Sequence, residues 1–287
     1  MPSTKGLQTG SFIKIREIAD ALTNAERRVA RYILRHAQEI PHLSITELSE
    51  RARVSEATVV RLCKRVGLRG YQDLRIRLAL DLTNQTHRIH EEIEPSDSLE
   101  AISLKLLGRV THALQDTVQV LDQDSLARAV DWICRARRID VYGVGASGVV
   151  AMDAEQKFSR IGLQVRAYVD PHLQATSAAL LTPQDVAIGI SHSGSTKDTV
   201  NALAIAKRSG ARTVAITQYG PSPIAKFSDA VLHTVAHEPL LREAAIGSRL
   251  AALLVIDILF VGVVMRLTPH ALRSLARTRD AVLDRKF

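Results

Sequence analysis

Two short stretches hold the residue types best suited to chemistry. GVGASG (143–148) and SHSGSTKDT (191–199) each follow an apolar run and precede a helical pattern. In the first, Gly143 and Gly145 permit a tight turn and Ser147 opens the helix. In the second, Ser191, Ser193, Ser195 and Thr196 surround Gly194. A helix N-terminus offers free amides and the positive end of the peptide dipole, which suits a phosphate. The hydroxyls add neutral donors. No Walker lysine follows either loop, so nucleotide hydrolysis is not expected. The first loop resembles the dinucleotide fingerprint, with Asp170 as the acidic ribose partner. The second loop has no place in that pattern, which makes the dinucleotide reading the weaker one. The plain alternative is two serine-capped turns, and the pairing of two such loops in one sheet speaks against it.

A different kind of chemistry is spelled by TELSERARVSEATVVRLCKRVG (46–67). Leu48, Val54, Val59 and Leu62 fit the buried positions of two short helices crossing over a turn, and Ser55 suits the N-cap of the second. In a helix-turn-helix the second helix lies in the major groove with its first residues against base edges. That places Ser55, Glu56, Ala57, Thr58, Arg61 and Arg65 at DNA, with Arg61 able to pair with guanine. Lys64, Arg69 and Tyr71 read as phosphate contacts. Arg53 stands in the turn where glycine is frequent, so some strain is expected there. A capped helical hairpin with no DNA role is the competing reading, and charge decides against it. Residues 1–90 carry 16 Lys/Arg against 9 Asp/Glu, whereas the rest of the chain carries 22 against 21. One basic end and one neutral body suit a polyanion bound at one end only.

The elements that must position these groups fall into two patterns. Residues 1–10 have no periodicity and read as disordered. Residues 11–90 read as an all-α DNA-binding domain, in which Thr23-Asn-Ala-Glu26 forms a capping box. Residues 91–98, EEIEPSDS, are the linker candidate. Helical patterns follow at 99–121 and 125–137. From Ile139 five apolar runs (139–145, 163–169, 185–191, 211–217 and 229–235) alternate with helices. That rhythm predicts a five-stranded parallel sheet flanked by helices, with ligands beyond the carboxyl ends of its strands. Residues 243–266 read as a long buried helix. The second domain is thus 99–287.

Composition narrows the class. Hydrophobic residues make up 46% of the 287, enough for two cores. The longest apolar stretch, 250–267, is broken by Asp257 and Arg266, so no membrane span is expected. No signal-peptide pattern opens the chain. Cys63 and Cys134 lack metal-ligand spacing and read as reduced, buried thiols of a cytoplasmic protein. Neither a metal nor a cofactor is called for.

Taken together, VSEATVVRLCKRVGLRGYQDL (54–74), GVGASG and GISHSGSTKDT (189–199) resemble the RpiR family of transcriptional regulators. These join an RpiR-type helix-turn-helix to a sugar isomerase (SIS) domain, and the resemblance covers nearly the whole chain. It implies a phosphosugar effector, a homodimer or homotetramer, and an operator on double-stranded DNA, which for a dimer is an inverted repeat. By position Ser147, Ser191, Ser193 and Thr196 would hold the phosphosugar. Glu243 falls where related domains place a carboxylate near the sugar. The rival reading is a sugar-phosphate isomerase, with Glu243 as base and His192, His233 or His237 assisting. An isomerase has no use for a basic helix-turn-helix, so the expectation is a regulator without catalytic residues, a repressor of carbohydrate metabolism.

Overall fold

The computed structural model describes residues 14–15, 18–37, 39–83, 93–236 and 245–282. Residues 1–10, His237 and Glu243 therefore lie outside the described residues. The chain divides into two compact units, residues 1–120 with 219–221, and residues 121–218 with 222–287.

In the first unit the helices are α1 (Asn24–Arg35), α2 (Ile45–Arg51), α3 (Glu56–Arg65), α4 (Tyr71–Thr83) and α5 (Leu99–Val120). The predicted capping box forms: the Thr23 amide donates to Glu26 Oε2 at 3.0 Å and the Glu26 amide donates to Thr23 Oγ1. Ser44 and Glu47 make a second box that starts α2. Val29, Ile33, Leu48, Val59, Leu62, Leu74 and Leu78 come together as one buried cluster. Each comes from one stripe of an amphipathic helix, which is how short helices obtain stability that propensity alone does not supply. Helix α5 falls within this unit, whereas the sequence pattern assigned it to the second domain. It leaves Leu99, Leu104 and Leu107 exposed, and so lacks the continuous buried stripe that would anchor it by pattern alone.

The second unit contains α6 (Gln123–Arg135), β1 (Ile139–Tyr142), α7 (Ala146–Ser159), β2 (Val165–Tyr168), α8 (Pro171–Ala178) and β3 (Val186–Ile190). It continues with α9 (Lys197–Arg208), β4 (Arg212–Gln218), β5 (Ala230–Thr234), α10 (Ile246–Leu267) and α11 (His270–Asp280). All five strands are parallel, in the order β2-β1-β3-β4-β5. Strands β1 and β3 are buried along their whole length, as expected of central strands covered on both faces. The order reverses between β1 and β3, so this unit has its topological switch point there, where open α/β sheets bind ligands.

Helix α10 is long and apolar enough to cross a membrane by length and composition. Its Ala252, Val255, Ile256, Leu259 and Val263 are nonetheless buried with Ile139, Val141, Ile188 and Ile216 of the sheet. One face thus joins the core of this unit, whereas Val261 and Met265 are exposed, so the helix expected to be buried along its length is buried on one side only. Cys63 is buried, and burial pushes its thiol up to about 12. Cys134 is only half-buried.

Candidate functional site

In the first unit α2, a turn and α3 form the helix-turn-helix. Leu48, Val59 and Leu62 are buried and fix the two helices against each other. Arg53 takes φ +53°, the left-handed value that the missing glycine would have adopted freely. Ser55, Glu56, Ala57, Arg61, Lys64, Arg65 and Arg69 are exposed. Two members of the predicted set are turned inward. Thr58 is 3% exposed, and its Oγ1 lies 3.0 Å from the Ser55 hydroxyl and accepts from Arg61 Nη2 at 2.9 Å. Tyr71 is 8% exposed and donates its hydroxyl to the Leu43 carbonyl at 3.0 Å. Burial raises its phenol to about 12. Tyr71 is thus an internal strut of α4, and Thr58 orients Arg61 from beneath; neither side chain is presented to a phosphate. Ser55 also departs from expectation, because it occupies the N-cap of α3 without capping it. Arg65 donates to the Ala21 carbonyl at 3.0 Å, so it is partly committed to the fold.

In the second unit the loops after β1 and β3 lie side by side, because those strands are paired neighbours. Thr23, Ser44, Asp122 and Asp170 each close their own helix N-terminus with a side chain. At the two loops that closure is missing. Helix α7 begins after Gly145, at φ +56°, with no side chain to offer, and the Thr196 side chain does not cap α9. Instead Thr196 Oγ1 lies 3.0 Å from the buried Ser191 hydroxyl. No side chain occupies either helix start, although the Ser147 and Gly148 amides of α7 already donate to the Val144 and Gly145 carbonyls at 3.2 and 3.0 Å.

Between them lies a cavity of about 270 Å³, lined by Ser147, His192, Ser193 and Thr196 of the loops, Gln218 and Thr234 at the strand ends, and Ser248 and Arg249 of α10. Of the predicted residues, Ser147, Ser193 and Thr196 face it. Ser191 sits beneath and braces Thr196. Ser195 is exposed and tied to Ser193, its amide donating to Ser193 Oγ at 3.3 Å. Gly194 takes φ +62°, and a Cβ there would stand 2.5 Å from Ser222 Cβ. Only glycine lets the loop fold back this closely. Asp170, proposed as a ribose partner, accepts from the Leu173 amide at 2.9 Å as the N-cap of α8, so that carboxylate is already engaged.

The sequence reading missed four polar lining residues. Gln218 and Thr234 end strands β4 and β5, so the rule that ligands sit beyond the carboxyl ends could have found them. Ser248 and Arg249 carried no local signal, since they arrive from a helix nearly fifty residues downstream of the second loop. Gln174 was missed too: buried in α8, it donates Nε2 to the Gly143 carbonyl at 3.2 Å and the Tyr168 carbonyl at 2.9 Å. It thereby staples the first loop to β2.

Comparison with known proteins agrees with both halves. Residues 9–85 match the helix-turn-helix domain of the rpiR family, and residues 133–262 match the SIS domain. An HTH-type transcriptional regulator of Caldanaerobacter subterraneus is 41% identical over 273 residues, covering 95% of this chain and 97% of that one. Among solved structures, Vibrio vulnificus NanR complexed with ManNAc-6P is 31% identical with a TM-score of 0.62, covering 96% of this chain and 100% of that one. The sugar isomerase domain of an RpiR transcription factor from Sphaerobacter thermophilus is 26% identical with a TM-score of 0.56, covering 62% of this chain and 98% of that one. Fold and relatives define a transcriptional regulator with a helix-turn-helix and a sugar-isomerase-type domain. The chain belongs to the rpiR family.

Proposed function

We propose that this regulator is a repressor of carbohydrate-metabolism genes that leaves its operator when a phosphorylated sugar binds. The observation that carries the reading is the cavity at the switch point, where the uncapped starts of α7 and α9 meet the hydroxyls of Ser147, Ser193 and Thr196. A phosphate monoester has three oxygens to satisfy, and this wall supplies amides and hydroxyls in the number it needs. NanR, solved with a phosphosugar bound, supports the ligand class. Ser191, Gly194 and Ser195 shape the loop, and Glu243 is proposed as the carboxylate beside the sugar. Ser55, Glu56, Ala57, Arg61, Lys64, Arg65 and Arg69 are proposed to meet DNA, Arg61 at a base edge and Lys64 and Arg69 at phosphates. A single helix-turn-helix reads half a site, so a homodimer on an inverted repeat is proposed.

The domain is read as a sensor without turnover, since the regulator relative matches along almost its whole length. Coupling to DNA then requires two arrangements of the dimer with different ligand affinities, typically worth about 1–3 kcal/mol between sites. Fluorescence anisotropy on the chain's own promoter DNA, titrated with a hexose-phosphate panel, tests this. Release by one phosphosugar and not by its unphosphorylated parent is expected. Rapid interconversion of a phosphosugar by the purified protein would instead favour the isomerase reading.

A further inference from the structure

The two serine loops supply the cavity with neutral donors only. Each helix start is worth roughly half a positive charge, so α7, α9 and α10, whose N-cap Ala245 also lines the cavity, together balance about one and a half negative charges. A phosphate monoester carries about −1.5 to −2 at neutral pH, its second ionisation lying near 6. Three helix starts fall short of a full dianion, and a cation on the far wall makes up the difference. Arg249, in the first turn of α10, lines the same cavity and makes no side-chain hydrogen bond or ion pair among the described residues. It is the sole formal cation among the cavity's described lining residues, none of which is a carboxylate.

We propose that Arg249 makes this cavity selective for a dianionic ligand, so that the effector is bound as its fully ionised phosphate monoester. The inference rests on the phosphosugar reading of the cavity. An arginine suits the role because its charge does not titrate and its fork can take two oxygens at once. The other titratable group in the lining is His192, on the loop after β3. Among the described residues the elements around the cavity otherwise contribute uncharged groups to it, such as Ser147 of α7, Thr196 from the start of α9, Gln218 from β4 and Thr234 from β5; Glu243, proposed beside the sugar, lies outside them. Lys197 and Asp198 follow Thr196 but are exposed and line no part of it. Protonation of His192 on acidification would favour an anion, the opposite of the effect expected from losing the dianion.

The test uses the full-length protein in a His192→Gln background and the tightest binder from a hexose 6-phosphate panel that includes ManNAc-6P. Calorimetry at pH 7.5 and pH 5.0 should show affinity falling about tenfold on acidification, following the dianion fraction of a group with a pKa near 6. Arg249→Gln should weaken binding at pH 7.5 by about 10- to 100-fold and flatten the pH dependence to less than about threefold. Arg249→Lys should restore part of both. The 6-sulfate of the same sugar, a monoanion at either pH, should bind the Arg249 protein far more weakly than the phosphate, and that gap should close in Arg249→Gln. Circular dichroism checks that the variants fold; should Arg249→Gln fail to, the phosphate-over-sulfate ratio in the parent and in Arg249→Lys carries the test. Equal affinity for sulfate and phosphate in the parent, or an unchanged pH profile in Arg249→Gln, overturns the role of Arg249 while leaving the cavity as the phosphosugar site. Wild-type protein, with His192 intact, that binds no member of the panel overturns the phosphosugar reading, and this inference with it.

Discussion

The hydroxyls of Ser191 and Thr196 stand 3.0 Å apart, one buried at the end of β3 and the other at the N-cap of α9. This pairing diverts Thr196 from capping its own helix and so keeps the helix start open for an anion. Ser193, by contrast, faces the cavity and is exposed. Ser193→Ala should therefore lower phosphosugar affinity by about 1 kcal/mol with no change in melting temperature. Thr196→Val should lower affinity and also cost about 1 kcal/mol of stability, because Ser191 loses its partner in a buried place. Calorimetry and thermal denaturation separate the two. Unchanged affinity in Ser193→Ala would move the phosphate elsewhere.

Gly194→Ala is expected to do more damage than either serine change. The new Cβ would sit 2.5 Å from Ser222 Cβ and 2.7 Å from Thr217 Oγ1, at a φ of +62°. Overpacking and positive φ together should cost about 2–4 kcal/mol and shift the whole loop. A melting curve and a ligand titration on the same sample check it, with loss of both stability and binding expected.

On the DNA side, burial separates the exposed residues proposed as contacts from Thr58 and Tyr71, which are internal. Arg61→Ala should cost about 1–3 kcal/mol on the preferred operator and relax one base position. Lys64→Ala should weaken all sequences alike and flatten the salt dependence by about one counterion. Tyr71→Phe should leave DNA affinity and salt slope unchanged, while the Leu43 carbonyl loses its partner at a cost of about 1 kcal/mol in stability. Anisotropy across a salt series, with urea melts alongside, distinguishes these outcomes.

The turn of the helix-turn-helix holds removable strain. Arg53 adopts φ +53°, which costs a residue with a Cβ about 1 kcal/mol relative to glycine. Arg53→Gly should raise the urea midpoint of the first unit, unless the greater freedom of the unfolded glycine cancels the gain. A lowered midpoint would show that the Arg53 side chain itself stabilises the turn.

Acid sensitivity of the second unit should centre on Asp185. Its carboxyl is fully buried; burial pushes its pKa up, but hydrogen bonds from Arg137 and from the Thr182 amide and hydroxyl outweigh this and hold it below the usual carboxylate value. A depressed folded pKa means stability present above the unfolded value near 3.9 and lost as pH falls through the folded one. Asp185→Asn should cost about 1–3 kcal/mol at pH 7, with the deficit shrinking toward pH 2. Parallel denaturation curves at pH 7 and pH 3 measure the difference.

The order of elements, the five strands, the helix-turn-helix and the two glycine- and hydroxyl-rich loops were legible in the sequence. Each is written in local periodicity: period two and short apolar runs for strands, one apolar stripe per helix, and glycine with hydroxyls where a strand turns into a helix. Strand order was not written there, since any of the five parallel strands could neighbour any other by local pattern. Pairing β1 with β3 is what brings Ser147 beside Ser193 and Thr196. The inward turn of Thr58 and Tyr71 was equally hidden, because a hydroxyl beside a basic run looks the same whether it faces solvent or the Leu43 carbonyl. Arg249 shows the limit most plainly. Its place in the cavity depends on α10 packing across the sheet, a contact between segments far apart in the chain. The sequence determined which groups could bind an anion; tertiary packing decided which of them share one cavity, because charge acts through distance and distance is set by the fold.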